Sequence, residues 1–131
     1  MKVKDWRIIS TYDAKRNRNK YGNQPTEVDG ILFDSKKEAQ RWQELKLLER
    51  TGEIRDLERQ VRFELLSADP PVYPRPIEYV ADFTYMEVIE GMTLWRRVVE
   101  DVKSPATRKN PVYRIKKRLL YQTYGLEIKE V

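Results

Sequence analysis

The sequence predicts an α/β domain built on a mixed β-sheet. Two segments with helical apolar spacing, near 36–50 and 111–124, enclose three segments with strand-like alternation or β-forming composition. A further strand signal follows the second helix, so a strand, a helix and a strand come in sequence and imply a parallel, right-handed crossover. At 131 residues the chain is long enough for one hydrophobic core, and one domain is expected over 1–131, with 1–24 a basic arm.

Each element has local reasons. Residues 13–24, DAKRNRNKYGNQ, are polar and basic without apolar periodicity and read as a mobile arm or loop. In TEVDGILF, Asp29-Gly30 lies between Val28 and Ile31, the signature of a tight hairpin. Ser35 with Glu38 three residues on fits a helix-capping box, and Ala39, Trp42, Leu45 and Leu48 recur at helical spacing as far as Gly52. Val61, Phe63 and Leu65 alternate with polar residues over a strand at 59–66. The proline-rich 67–76 is a loop. Residues 77–89 and 94–103 form two strands around the turn EGMT. SPATRKN, 104–110, reads as a loop, Asn110-Pro111 as a helix start and Gly125 as its stop, before the short strand LEIKEV.

Composition excludes several chemistries. Without cysteine there is no disulfide frame, thiolate zinc site or cysteine nucleophile. Without histidine there is no Ser-His-Asp triad, histidine base or imidazole metal site. Catalysis at neutral pH would fall to carboxylates, lysine, tyrosine or hydroxyls, and any metal would have oxygen ligands, which favours Mg²⁺ or Mn²⁺. The N-terminus lacks a signal-peptide apolar stretch and no segment has the length of a membrane span, so a soluble, intracellular protein is expected.

Charge is segregated. Residues 1–24 carry +5 and 103–118 carry +7 with no acid, whereas 25–102 carry −6. Basic ends around an acidic middle suit a polyanion held by cations while carboxylates gather a metal ion, although solvated charge alone gives similar patterns.

The hairpin 77–103 carries the chemistry. With 90–93 as the turn, Ile89 pairs with Leu94 and Asp82 falls opposite Asp101. Opposed residues share a face, and Lys103, two residues beyond Asp101, shares it too. Two facing carboxylates repel unless a cation lies between them, and Mg²⁺ needs only one or two carboxylates. Glu100 points to the opposite face.

Asp82 in VADF with Asp101-Val102-Lys103 in VEDVKS resembles the PD-(D/E)XK nuclease superfamily. With TEVDGILFDSKKEAQRWQELKLLERTGEI, RQVRFEL and the basic closing helix, residues 20–131 resemble a phage family of Holliday-junction-resolvase-like or unknown function. One departure is Ala81, where the superfamily name calls for proline. The resemblance implies a restriction-endonuclease-like core of helix, three strands, helix and strand, here with an extra N-terminal hairpin. It implies a Mg²⁺-dependent endodeoxyribonuclease leaving 5′-phosphate and 3′-hydroxyl ends, acting on DNA that includes branched forms. It also implies a homodimer if junctions are resolved, and the cytoplasm of a bacterial host if the chain is phage-encoded.

The candidate catalytic set is Glu38, Asp82, Asp101 and Lys103, the three carboxylates also being the candidate metal ligands. Glu38 enters through the resemblance and has a second reading as the capping partner of Ser35. Asp82 has an alternative as an exposed salt-bridge residue, and Asp101 with Lys103 as an exposed pair at a strand end. The candidate DNA contacts are Lys15, Arg16, Arg18 and Lys20 in the arm, and Arg108, Lys109, Arg114, Lys116, Lys117 and Arg118 around the second helix. Tyr113, Tyr121 and Tyr124 read as core or interface residues in preference to base-stacking platforms. Two alternatives to a nuclease stay open: a non-catalytic DNA-binding protein, and a metal-binding structural module of a phage complex.

Overall fold

A computed structural model describes residues 24–131. The expected arm, with Lys15, Arg16, Arg18 and Lys20, lies outside the described residues except for Gln24. The described residues fall into two compact units, 24–44 and 45–131.

In the first unit, β1 (Thr26–Val28) and β2 (Ile31–Phe33) form the expected antiparallel hairpin. Asp29 and Gly30 both have positive φ, 53° and 76°, which a two-residue turn needs to match strand twist. Helix α1 (Lys36–Thr51) begins here. Ser35 Oγ accepts the Glu38 backbone N–H at 3.1 Å, satisfying one of the donors a helix start leaves open. Phe33, Ala39 and Trp42 are buried, and the Phe33 and Trp42 rings lie 6.1 Å apart.

The second unit is a four-stranded mixed sheet in the order β3-β4-β5-β6, with helices. Strands β3 (Ile54–Leu66), β4 (Ile77–Val88) and β5 (Trp95–Asp101) are antiparallel neighbours. Strand β6 (Ile128–Glu130) lies parallel to β5, as the strand-helix-strand order requires. Between them come the one-turn helix α2 (Pro105–Arg108) and helix α3 (Pro111–Tyr124).

Two boundaries correct the sequence reading. β3 starts at Ile54 rather than near Arg59; a register shift between Arg55 and Glu58, with Asp56 at φ 56°, masks the alternation there. The stretch expected as a loop at 104–110 contains α2, which Ser104 caps by accepting the Thr107 N–H with Pro105 in the first turn.

Helix α3 packs Tyr113 and Leu120 onto one sheet face, in a core with Phe63, Leu65, Tyr79, Ala81, Val99 and Ile128. Asn110 Oδ1 accepts the Val112 and Tyr113 N–H groups at its start. Gly125 ends the helix in the left-handed region at φ 69°, and a Cβ there would meet no atom within 4 Å. The cost of a side chain at Gly125 is therefore backbone strain alone. Gly125→Ala is expected to lower stability by about 1 kcal/mol, read as a lower urea midpoint with an unchanged slope.

Candidate active site

The β4–β5 ladder has the register expected from the turn. Val88 pairs with Trp95 and Phe83 with Glu100, and Ile89 N–H donates to the Leu94 carbonyl at 2.9 Å. Asp82 and Asp101 are the next opposed positions, just past the last ladder pair. There the Asp82 carboxylate replaces a strand carbonyl as acceptor, taking the Val102 backbone N–H at 2.8 Å. The Asp82 side chain is thus tied to the segment joining Asp101 to Lys103.

Asp101 is only 3% exposed, and a buried carboxylate must be paired. Its Oδ2 accepts the Tyr79 hydroxyl at 2.6 Å and lies 3.1 Å from Lys103 Nζ. Its Oδ1 takes no hydrogen bond from the described residues. The Asp101–Lys103 pair expected at a strand end is present, but it is largely withdrawn from water, with the lysine side chain 19% exposed. Lys103 Nζ also lies 4.3 Å from the centre of the Tyr113 ring, a cation–π distance. Its backbone is fixed as well: Lys103 N–H donates to the Val131 carbonyl, and Val131 N–H to the Asp101 carbonyl.

Two tyrosines hold this cluster, and sequence reasoning missed both roles. Burial first, then the negative charge of Asp101, pushes the Tyr79 hydroxyl far above the usual phenol range, and Asp82 adds to the effect. Burial and the hydrogen bond to Glu130 do the same for Tyr113. Both remain neutral donors, unsuited to act as bases at neutral pH. Tyr113 donates to Glu130 Oε2 at 2.6 Å, and Lys117 Nζ lies 3.5 Å from the same oxygen. Glu130 is the register partner of Asp101 across β5–β6.

Burial raises the Glu130 pKa, but the Tyr113 hydrogen bond with the Lys117 and Arg108 charges outweighs it, leaving the carboxyl below its ordinary value. A depressed folded-state pKa gives stability that is fully present above the unfolded value and is lost as pH falls through the folded one. Glu130→Gln is accordingly expected to lower the thermal midpoint at pH 7 and to lose that effect as the pH drops below the ordinary glutamate range. Melts of both proteins across that range check it.

Glu100 points away from this cluster, as expected: it is 0% exposed and accepts the Tyr85 hydroxyl at 2.7 Å. Glu38 belongs to the first unit; its side chain is buried and its backbone N–H serves the Ser35 cap. Among the described residues there is no group of three or more Asp, Glu, His or Cys side chains placed to hold a metal ion. Asp82 and Asp101, at opposed positions just past the β4–β5 ladder, are the two carboxylates that could hold one. That number suits Mg²⁺ or Mn²⁺, which take one or two carboxylates and complete their shell with water and phosphate oxygens.

The basic candidates divide. Arg108, Arg114, Lys117 and Arg118 line one cleft of about 540 Å³, together with Tyr113 and Glu130 of the cluster above. Lys109 and Lys116 are not part of its lining. Among the described residues no helix is long and apolar enough to cross a membrane.

A family model described as a protein of unknown function (DUF1064) matches residues 18–130. No curated protein and no solved structure matches the chain.

Proposed function

From the premise that this chain belongs to the DUF1064 family, whose description assigns no activity, we propose that it is a metal-dependent endonuclease that hydrolyses DNA phosphodiester bonds. The observation that carries the reading is the meeting of Asp82, Asp101 and Lys103 at the end of the β4–β5 ladder, where the Asp82 carboxylate accepts the Val102 N–H at 2.8 Å and Lys103 Nζ lies 3.1 Å from the Asp101 carboxylate. The sequence of helix, three strands, helix and strand, with β6 parallel to β5, is compatible with a restriction-endonuclease-like core and a PD-(D/E)XK site.

Each residue has a part. Asp82 and Asp101 offer the carboxylate oxygens for Mg²⁺ or Mn²⁺. Such an ion, when bound, supplies a more acidic water and neutralises charge on a phosphoryl oxygen. Tyr79 and Lys103 both engage Asp101 Oδ2, which fixes the carboxylate and leaves Oδ1 turned to other partners. The Lys103 ammonium orients the attacking water or stabilises negative charge as the phosphorus becomes five-coordinate. The reading rests on these residues; Glu38 is not required for it.

The guanidinium groups of Arg108, Arg114 and Arg118 form no ion pair among the described residues, which leaves them available to phosphates. They would serve a non-catalytic DNA-binding protein equally well, so the activity itself must be tested. Purified protein is incubated with four-way junction, flap, linear duplex and single-stranded DNA in Mg²⁺, Mn²⁺ or EDTA. Cleavage of at least one substrate with metal and none in EDTA is expected, and failure to cut all four in both metals would sink the nuclease reading. If the junction is the preferred substrate, the active species is a two-fold dimer, since two strands must be cut as a pair.

A further inference from the structure

We propose that the groove between α3 and β6 is a track for single-stranded DNA, with Tyr121 as the base-stacking platform between two cationic clefts. The proposal deepens the nuclease reading by naming the form of nucleic acid led to its site.

The first cleft is the one lined by Arg108, Arg114, Lys117 and Arg118. The second, of about 480 Å³, is lined by Arg96, Arg97 and Lys129 together with Glu87; Arg96 pairs with Glu87 at 2.7 Å and the Arg97 guanidinium lies 4.9 Å from the centre of the Phe63 ring. Tyr121, Glu127 and Ile128 belong to both, so the two hollows meet along one wall. At its other end the first cleft adjoins the candidate site without including Asp82, Asp101 or Lys103 in its lining. It includes Tyr113 and Glu130, and the Tyr113 ring carries the Lys103 ammonium. A strand lying in this groove would run from Lys103 past three guanidinium groups to Tyr121 and on to Lys129.

Tyr121 differs from the other two tyrosines of α3. Tyr113 is buried and bonded to Glu130; the Tyr124 hydroxyl donates to the Glu64 carbonyl at 2.8 Å and its ring packs edge-on against Phe63. Tyr121 is 49% exposed, and among the described residues its ring pairs with no other ring and its hydroxyl makes no hydrogen bond. Of the sequence reading of these tyrosines as core or interface residues, the core role does not apply to Tyr121. An aromatic face standing in water between cations is what unpaired bases use, since each base has a stacking face whatever its identity. A duplex turns those faces inward and offers only its backbone.

The carboxylates do not cancel the field. In the first cleft Glu130 is engaged by Tyr113 and Lys117, which leaves exposed Glu127 facing three guanidinium groups; in the second, Glu87 is engaged by Arg96. Glu127 lies on the wall shared by both hollows, beside Tyr121, where it suits the N–H donors of a base edge, such as N3–H of thymine, rather than a phosphate.

The test measures binding without metal, so that cleavage plays no part. Fluorescein-labelled (dT)12, (rU)12 and a 12-base-pair duplex are titrated by anisotropy at several salt concentrations. The wild-type chain is expected to prefer (dT)12. Tyr121→Leu should weaken (dT)12 about 10-fold, the order of one lost base stack, and leave the duplex within about twofold. Tyr121→Trp should restore (dT)12 binding. Arg114→Ser with Arg118→Ser should weaken (dT)12 and reduce the slope of log K against log salt by about 1.4, the value for two phosphates on a single strand. Unchanged (dT)12 binding by Tyr121→Leu, or tighter wild-type binding of duplex or (rU)12, overturns the track. If Tyr121 supports (dT)12 binding but no substrate is ever cut, the track stands and the nuclease reading falls. If DNA is cut while Tyr121→Leu binds normally, the nuclease reading stands and the track falls.

Discussion

Asp101→Asn is expected to reduce strand cleavage about 1,000-fold or more while leaving DNA affinity, measured with Ca²⁺ in place of Mg²⁺, within a few-fold of wild type. Asparagine has the same shape, and its amide oxygen can still accept the Tyr79 hydroxyl that now lies 2.6 Å from Oδ2. What disappears is one unit of negative charge in a pocket that water hardly reaches, and with it half of the carboxylate pair proposed to attract the cation. The Lys103 ammonium loses its partner at 3.1 Å as well, so some loss of stability is expected. A thermal melt separates that loss from the kinetic one: a folded, DNA-binding, inactive variant supports the proposed site. Wild-type cleavage by Asp101→Asn would move the chemistry elsewhere in the chain. Simultaneous loss of cleavage and binding in a folded variant would mean that the carboxylate shapes the DNA surface instead.

The same pair shows how far the sequence carries. The register of the hairpin was readable because the turn EGMT is bounded by alternating β-formers, so one closing pair, Ile89 with Leu94, fixes the rest. The α3 boundaries were readable because Asn110-Pro111 and Gly125 act through backbone geometry that needs no tertiary partner. The beginning of β3 was hidden by its bulge. Helix α2 was hidden by its length, although Ser104-Pro105 carries a legible start signal.

Strict alternation in β4 slips once between Ala81 and Thr84. Ala81 lies in the α3-side core with Val99, and Thr84, three positions on, opposes that same Val99. Counting by twos from Tyr79 would place Tyr79 and Asp82 on opposite faces, yet Asp82 acts on the Tyr79 hydroxyl and Tyr79 bonds Asp101. Gln60, on the neighbouring strand between the partners of Phe83 and Ala81, has φ 53°, another local departure from regular strand geometry. The support given by Tyr79 and Tyr113 was illegible for a related reason. A tyrosine in a strand or an amphipathic helix reads as packing, and where its hydroxyl ends depends on contacts 22 and 17 residues away in sequence.

Lys103→Met is expected to move cation binding and cleavage in opposite directions. In the present arrangement Lys103 Nζ occupies the Asp101 carboxylate, so a divalent ion approaching that carboxylate meets a resident positive charge. Removing the ammonium lifts that repulsion, and Mn²⁺ affinity, followed by titration calorimetry in the absence of DNA, should increase. Methionine retains most of the apolar stem, and therefore most of the packing on the Tyr113 ring, although the cation–π attraction across 4.3 Å is lost. Cleavage at saturating metal should nevertheless fall about 100-fold, the scale of losing one pre-placed positive group at a reacting phosphate. A lysine that merely held Asp101 in place would behave otherwise, since its loss would loosen the carboxylate and weaken both binding and cleavage. Lys103→Arg keeps the charge but spreads it over a planar group that cannot occupy the same point, so it should retain weak metal affinity and recover only part of the rate. Weaker Mn²⁺ binding by Lys103→Met, in a variant that melts like wild type, would reduce Lys103 to a structural partner of Asp101 and remove the amine from the proposed chemistry.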